Sequence, residues 1–379
     1  VAEHAAMMSF DEVVVELKTY TGAPVGKRQV EELAVRAARD FEGFYAERRS
    51  VNETVEPTRD LLVMTFDGKG IVMVPKALRP ATRKAARKAV RKLATRLTSG
   101  EKRNRKRMAE VAAIYTVPRH LRTPLDVLAD LDASHREDRP ERPKVRNKRV
   151  WASVERDAEV VIEEAFREAL ARDPQHRRQW IVLIDGNEDQ LALVKAKAEQ
   201  LGAVWIVVDL MHVLEYLWRA AHALCGDGTK EAEAWVQQRL LWLLEGRKAG
   251  KIATAMRRSA RTAKLAGRAL MAANRAADYL QKYAPYLRYS DALEWGLPIA
   301  TGVIEGACRY LVKDRMDRGG ARWTLEGAEA VLRLRALRAS GDLEAYWQLH
   351  LREELRRNHV ERYANASLPD PMRPLRRVK

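Results

Sequence analysis

Three short, mostly apolar runs each stop at an aspartate: Leu61 to Phe66 before Asp67, Trp180 to Ile184 before Asp185, and Val204 to Val208 before Asp209. Continuous runs of this length, rich in β-branched residues, read as strands buried on both faces. In open α/β sheets the chemistry gathers beyond the carboxyl ends of such strands. Carboxylates set there are ready ligands for hard divalent cations. The expected class is α/β with an acidic site at the strand ends.

At 379 residues the chain is long enough for two or three domains. Its net charge of +17 implies an anionic partner, with nucleic acid ahead of a membrane surface. No apolar stretch approaches the roughly 20 residues of a spanning helix, and the start lacks a charged-then-apolar signal pattern, so a cytoplasmic, nucleoid-associated protein is expected. Cys225 and Cys308 are the only cysteines, without metal-site spacing, which argues against a zinc site or a disulfide framework. The first residue is Val1 rather than Met, which points to a missing upstream part.

Ser9, Phe10, Asp11 and Glu12 fit a capping box opening a helix to about Tyr20. Gly22 to Pro24 makes a turn, and Val30, Leu33, Ala37 and Phe41 stripe a second helix. The pair fits a helix-turn-helix, with Lys27, Arg28 and Gln29 opening the recognition helix, and equally a plain helical hairpin. A linker is expected around Asn52 to Arg59. Gly68-Lys69-Gly70 after the first strand, followed by Ile71 to Val74, predicts a tight hairpin. Arg79, Arg83, Lys84, Arg87, Lys88, Arg91, Lys92 and Arg96 then surround a thin stripe of Ala86, Val90, Leu93 and Leu97. One sign of charge dominates there, which favours phosphate contact over a solvated helix face.

Met108 to Val117 reads as a third strand, Pro118 to about Arg149 as a long loop, and Ala152 to Arg172 as a helix. Leu191, Val194, Ala198 and Leu201 stripe another helix between the runs ending at Asp185 and Asp209, a crossover that favours parallel pairing. From His212 to about Tyr289 the pattern is helical, with Trp218, Trp235 and Trp242 expected in the core. Basic Arg257, Arg258, Arg261, Lys264 and Arg268 follow. A helix after Pro298 carries Glu305 over a buried stripe of Ile304, Cys308 and Leu311, and another spans about Thr324 to Ser340.

The blocks Thr65-Phe66-Asp67-Gly68-Lys69-Gly70, Leu183-Ile184-Asp185-Gly186, Asp209-Leu210-Met211-His212 and Gly302-Val303-Ile304-Glu305-Gly306 occur in that order. The last runs on to Lys313-Asp314-Arg315-Met316 and Gly320-Ala321-Arg322-Trp323. In this order and spacing, from about Ser9 to Ser340, the chain resembles the DDE transposases with a ribonuclease-H-like core. More narrowly it is similar to the ISKra-type bacterial insertion-sequence transposases, relatives of the Mutator-like and ISL-type groups. The resemblance implies a mixed sheet flanked by helices, with a helical insertion before the catalytic glutamate and an N-terminal helical segment. Together with the reading of the residues, it divides the chain into an N-terminal helical segment, a candidate helix-turn-helix (1–50), a first part of the core (60–212) with a basic insertion (77–107), an all-helical insertion (213–295), a glutamate helix with C-terminal core helices (296–345), and a basic tail (366–379) with too few apolar residues to fold alone.

It also implies Asp67, Asp185 and Glu305 as catalytic metal ligands for two Mg2+ ions, with Mn2+ as a substitute, and Asp209 and His212 as an accessory pair. Arg309 and Lys313, on the glutamate helix, join Arg83, Arg87, Arg91 and Lys92 as DNA-contacting residues. The implied reaction is cleavage of double-stranded DNA at terminal inverted repeats and strand transfer into target DNA, by a homo-oligomer that is at least a dimer.

Each acid also has a purely local explanation. Asp67 would cap the hairpin turn, Asp185 would be the N-cap of the helix near Asn187, Glu305 would pair with Arg309 four residues on, and His212 would be a satisfied helix-start histidine. Two other functions compete with transposition. One is a non-cleaving DNA-binding derivative of a transposase, and the other is another ribonuclease-H-like nuclease such as a junction resolvase.

Overall fold

The computed structural model describes residues 1–50, 56, 58–90, 92–98, 101–131, 142–202 and 204–363. Part of the predicted linker (52–55 and 57), Arg91 and the tail 366–379 lie outside them.

Five strands form one mixed sheet: β1 (Leu61–Val72), β2 (Lys106–Val117), β3 (Arg146–Ser153), β4 (Trp180–Ile184) and β5 (Val204–Val208), in the order β3-β2-β1-β4-β5. β1 pairs antiparallel with β2 and parallel with β4, β2 pairs antiparallel with β3, and β4 parallel with β5. The expected hairpin at Gly68-Lys69-Gly70 does not form. β1 runs straight through it and pairs with β2 from Leu61 opposite Val117 to Val72 opposite Lys106. The glycines serve close passage instead of turning, since a Cβ at Gly68 would lie 3.1 Å from Met108 and one at Gly70 2.9 Å from Lys106.

The long loop expected from Pro118 to Arg149 is shorter, because it holds a helix and the start of β3. Arg149 explains how so charged an edge strand can carry a buried arginine. It is buried, its guanidinium donates to Glu164 at 2.5 Å and Glu168 at 2.8 Å, and it stacks 3.5 Å from the Tyr45 ring centroid. Those carboxylates raise its pKa against the cost of burial.

The helices follow in chain order. N-terminal α1 (Ala2–Met7), α2 (Phe10–Thr21), α3 (Lys27–Ala37) and α4 (Phe41–Ser50) precede the sheet. The capping box at Ser9 and Glu12 opens α2. Between β1 and β2 lies α5 (Pro80–Lys88), shorter than the predicted basic helix, with Val90 and Leu93 exposed beyond it. Then come α6 (Pro124–Leu131), α7 (Ala158–Arg172), α8 (Glu188–Leu201) and α9 (Leu210–Cys225). The helical insertion continues with α10 (Lys230–Leu244), α11 (Ala249–Thr262), α12 (Gly267–Lys282) and α13 (Tyr289–Glu294). Last are α14 (Gly302–Ala307), a π-helical stretch (Cys308–Lys313), α15 (Asp314–Met316), α16 (Leu325–Ser340) and α17 (Leu343–Leu355).

Helices flank both faces of the sheet. α7 and α8 pack on β2, β1 and β4, while α14, the π-helical stretch and α16 pack on β1, β2 and β3. The N-terminal helices are built onto the C-terminal ones. α1 and α3 pack on α16 and α4 on α17, with Tyr346 donating to the Ala37 carbonyl at 2.6 Å and Tyr45 to Asp342 at 2.8 Å. Among the described residues no helix is long and apolar enough to cross a membrane.

Candidate active site

The site is assembled at the carboxyl ends of β4 and β5 and beside the middle of β1. Phe66 stands opposite Ile184 and Ile184 opposite Val208, so Asp185 and Asp209, just past β4 and β5, lie level with Asp67 inside β1, which runs on to Val72. Asp67 is half-buried. Its Oδ1 accepts from the Gly68 N–H at 2.6 Å, and the Cys308 thiol donates to its Oδ2 at 3.1 Å. With no hairpin turn present, Asp67 does not cap one.

Asp185 is not the helix cap either. Asn187 caps α8, accepting from Asp189 and Gln190, and Asp185 Oδ1 accepts from the Asn187 N–H at 2.8 Å. Two tyrosines of α12 and its end hold the backbone that presents it. Tyr279 donates to the Asp185 carbonyl at 2.9 Å and Tyr283 to that of Gly186. Gly186 has φ +90°, and a Cβ there would fall 2.9 Å from the Tyr279 oxygen, so only glycine fits both the backbone and the contact.

Asp209 does a different job. It is fully buried, N-caps α9 through Met211, and accepts from the Thr301 N–H at 3.2 Å and hydroxyl at 2.6 Å, while His212 Nδ1 lies 3.2 Å from its Oδ2. It thereby clamps the start of α14 to the start of α9. α14 presents Glu305 at the surface, and Arg309, expected as its partner, instead lies 3.9 Å from Asp314.

These groups feel one another. Burial and then the Asp67 and Asp209 charges push Asp185 above the usual carboxylate range, against the Asn187 bond and His212. Burial, Asp209 and Asp67 likewise raise Glu305. His212 is pushed up to about 9, first by its bond to Asp209 and then by the Asp209, Asp185 and Glu215 charges, so it is an imidazolium at neutral pH. Among the described residues no lysine or arginine forms an ion pair with Asp67, Asp185 or Glu305.

The oxygens of those three acids do not converge within 4.8 Å. That spacing occurs instead at Asp40, His350 and Glu354, a group that could by distance hold a metal ion. Its donors are taken, however. Arg357 bonds both Asp40 oxygens at 2.7 and 2.8 Å and Glu354 at 2.7 Å, Arg36 and Arg39 lie 3.6 and 3.5 Å from Glu354, and His350 lies 2.7 Å from Asp40. Burial opposes ionisation of Asp40, but the Arg357 and His350 bonds hold it below its usual pKa. The cluster acts as an ion-pair lock between the N-terminal helices and the end of α17.

One acid near the site has no counterpart in the sequence reading. Glu110 on β2 stands opposite Gly68, and its Oε2 accepts from Gln190 of α8 at 2.9 Å. Burial and the Asp67 charge raise its pKa. The available signal was that Glu110 is the one charged residue between Ala109 and Val117. Thr301, Tyr279 and Tyr283 had no such signal.

The expected DNA contacts are dispersed. At the start of α3, Lys27 pairs with Asp11 at 2.6 Å, Arg28 with Glu32 at 2.9 Å, and Gln29 accepts from the Gly26 N–H at 2.8 Å. Arg83 and Arg87 lie on α5, half-buried and exposed, and Lys92 follows it, exposed. Arg309 and Lys313 are exposed on the π-helical stretch beside Glu305.

Neither a protein-family model nor a curated protein sequence matches the chain.

Proposed function

We propose that the chain is an insertion-sequence transposase of the DDE type, built on a ribonuclease-H-like core, that cleaves DNA strands at element ends and joins them to target DNA. The observation that carries this is the pairing of β1 with β4, which sets Asp67 and Asp185 side by side, with Glu305 in the field of Asp67 and no lysine or arginine paired with any of the three among the described residues. In a chain with net charge +17, desolvated acids left without a basic partner fit a divalent cation. The guanidinium-filled Asp40 cluster does not.

Asp67, Asp185 and Glu305 would hold the metal. Two bound Mg2+ ions would supply Lewis-acid activation of the attacking oxygen and charge stabilisation at the leaving 3′ oxygen. The chain's own groups do the positioning. Cys308 orients Asp67, Asn187 and the two tyrosines fix Asp185, and the Asp209 clamp sets the angle of the helix carrying Glu305. The His212 charge acts on both Asp185 and Glu305, favouring their ionised forms against burial and the neighbouring carboxylates. Arg309 and Lys313 offer cations to phosphates approaching that helix.

The test is Mg2+-dependent nicking of duplex DNA carrying the ends of the encoding element. Asp67→Asn, Asp185→Asn and Glu305→Gln should each abolish nicking while duplex binding persists. Full activity in Asp185→Asn with loss in a folded Asp209→Asn would move the metal site to Asp209. Duplex binding without nicking by the native protein would favour a non-cleaving derivative.

A further inference from the structure

The tryptophans of the helical insertion are not simply core. Trp235, Arg239 and Trp242 lie half-exposed on α10, on the face flanking its buried Val236, Leu240 and Leu243, with both indoles also packed against the core. The Arg239 guanidinium lies 4.2 Å from the Trp235 ring centroid and 5.2 Å from that of Trp242, and Arg247, just past the helix, lies 4.1 Å from Trp242. A second ladder has the same make-up. Arg288 lies 4.6 Å from Trp205, Trp205 is 6.2 Å from Trp295 between ring centroids, and Arg119 is 6.0 Å from Trp295. Trp295 is 52% exposed, a large apolar surface left open beside a cation.

α10, which carries the first ladder, packs on α13, the helix between Arg288 and Trp295. There Gly246 approaches Ser290 so closely that a Cβ would fall 2.7 Å from its hydroxyl. Among the described residues neither Arg239 nor Arg247 forms an ion pair with a carboxylate, so these cations have no anion within the fold. Trp205 sits four residues before Asp209 on β5, about 13 Å along the strand from the acidic site.

Indoles alternating with guanidiniums, of which Arg239 and Arg247 form no ion pair among the described residues while Arg288 pairs with Asp291, are complementary to a polymer of exposed aromatic faces and phosphates. A duplex offers the phosphates but hides its base faces in the stack. We propose that this surface of α10, α13 and the start of β5 binds unpaired nucleotides of single-stranded DNA. The proposal deepens, and rests on, the view of the chain as a DNA-processing enzyme.

The experiment is fluorescence anisotropy with the full chain in EDTA, using labelled oligo(dT), an abasic strand of equal length, and a duplex. Trp242→Ala and Trp295→Ala should each weaken oligo(dT) binding by about 5- to 150-fold, the range for one lost stacked base. The native protein should bind the abasic strand correspondingly more weakly, and both variants should keep native duplex affinity. Equal native affinity for oligo(dT) and the abasic strand would overturn the proposal, as would unchanged oligo(dT) binding by the variants or an equal loss on duplex. The abasic comparison needs no variant, so misfolding of a tryptophan mutant does not shield the proposal. No divalent cation is present, so absence of cleavage would defeat the transposase assignment while leaving this result intact.

Discussion

The Cys308 thiol donates to Asp67 Oδ2 at 3.1 Å, joining the helical turn after Glu305 to the middle of β1. The buried thiol, pushed up in pKa by desolvation and by Asp67, is a poor nucleophile. In the native protein, thiol labelling should therefore reach Cys225 and spare Cys308 until denaturant is added. Cys308→Ala should cost roughly 0.5–1.5 kcal/mol for the lost hydrogen bond and lower nicking, whereas Cys308→Ser, which keeps a donor, should restore most of it. Rapid labelling of native Cys308 would show that the helix and strand are not held together in solution.

Charge repulsion at the acidic site predicts a trade of stability for activity. Asp185 and Glu305 have raised pKa values in the fold, so their ionised forms disfavour the native state once the pH exceeds their ordinary range. Asp185→Asn and Glu305→Gln should then melt roughly 1–4 °C higher than the native protein in EDTA. The stabilisation that Mg2+ gives the native protein should shrink in both. Lower melting in both variants would show that the carboxylates are held by interactions other than a cation.

His212 gives a pH dependence of the opposite sign. Its pKa rises from 6.5 to about 9 on folding, so the stabilisation is complete below about 6.5 and disappears as the pH rises through 9. Melting temperatures of the native protein should fall between pH 7 and pH 10 more steeply than those of His212→Gln. Parallel curves would mean that the imidazole is not charged in the fold.

The basic segment after β1 should set the salt dependence of DNA binding. Replacing Arg83, Arg87 and Lys92 by Gln should flatten the log-log slope of affinity against salt by up to about 2.7, at roughly 0.9 per phosphate contact. An unchanged slope would place these side chains in solvent.

β4, β5 and the first half of β1 were legible because unbroken apolar runs can satisfy themselves only inside a sheet, and the Ser9 capping box because its chemistry is local. β3 was not. Arg146 to Arg149 reads as a loop unless Glu164 and Glu168, on the next helix, are known to meet the buried guanidinium. The glycines at 68 and 70 misled because glycine marks a close approach as readily as a turn. The three catalytic candidates were read from strand ends and block order. Their supports, Thr301, Tyr279, Tyr283 and Glu110, reach the site through tertiary contacts that no local spacing records. Trp235 and Trp242 pack against the core as their periodicity suggested, but periodicity does not record the arginines stacked on their outer faces.

The docking of α1, α3 and α4 onto α16 and α17 has a consequence for synthesis on the ribosome. Phe41, Phe44 and Tyr45 are shielded by a partner such as Tyr346, whose ring centroid lies 5.6 Å from that of Phe44. The helices that cover them are translated about 290 residues later, an interval of roughly 15–60 s at ~5–20 residues per second. Throughout that interval the nascent chain displays an aromatic surface with nowhere to bury it. These helices, made well before the ones that cover them, are therefore among the last to reach their final packing, and they are the natural point of engagement for a chaperone that holds unfinished chains.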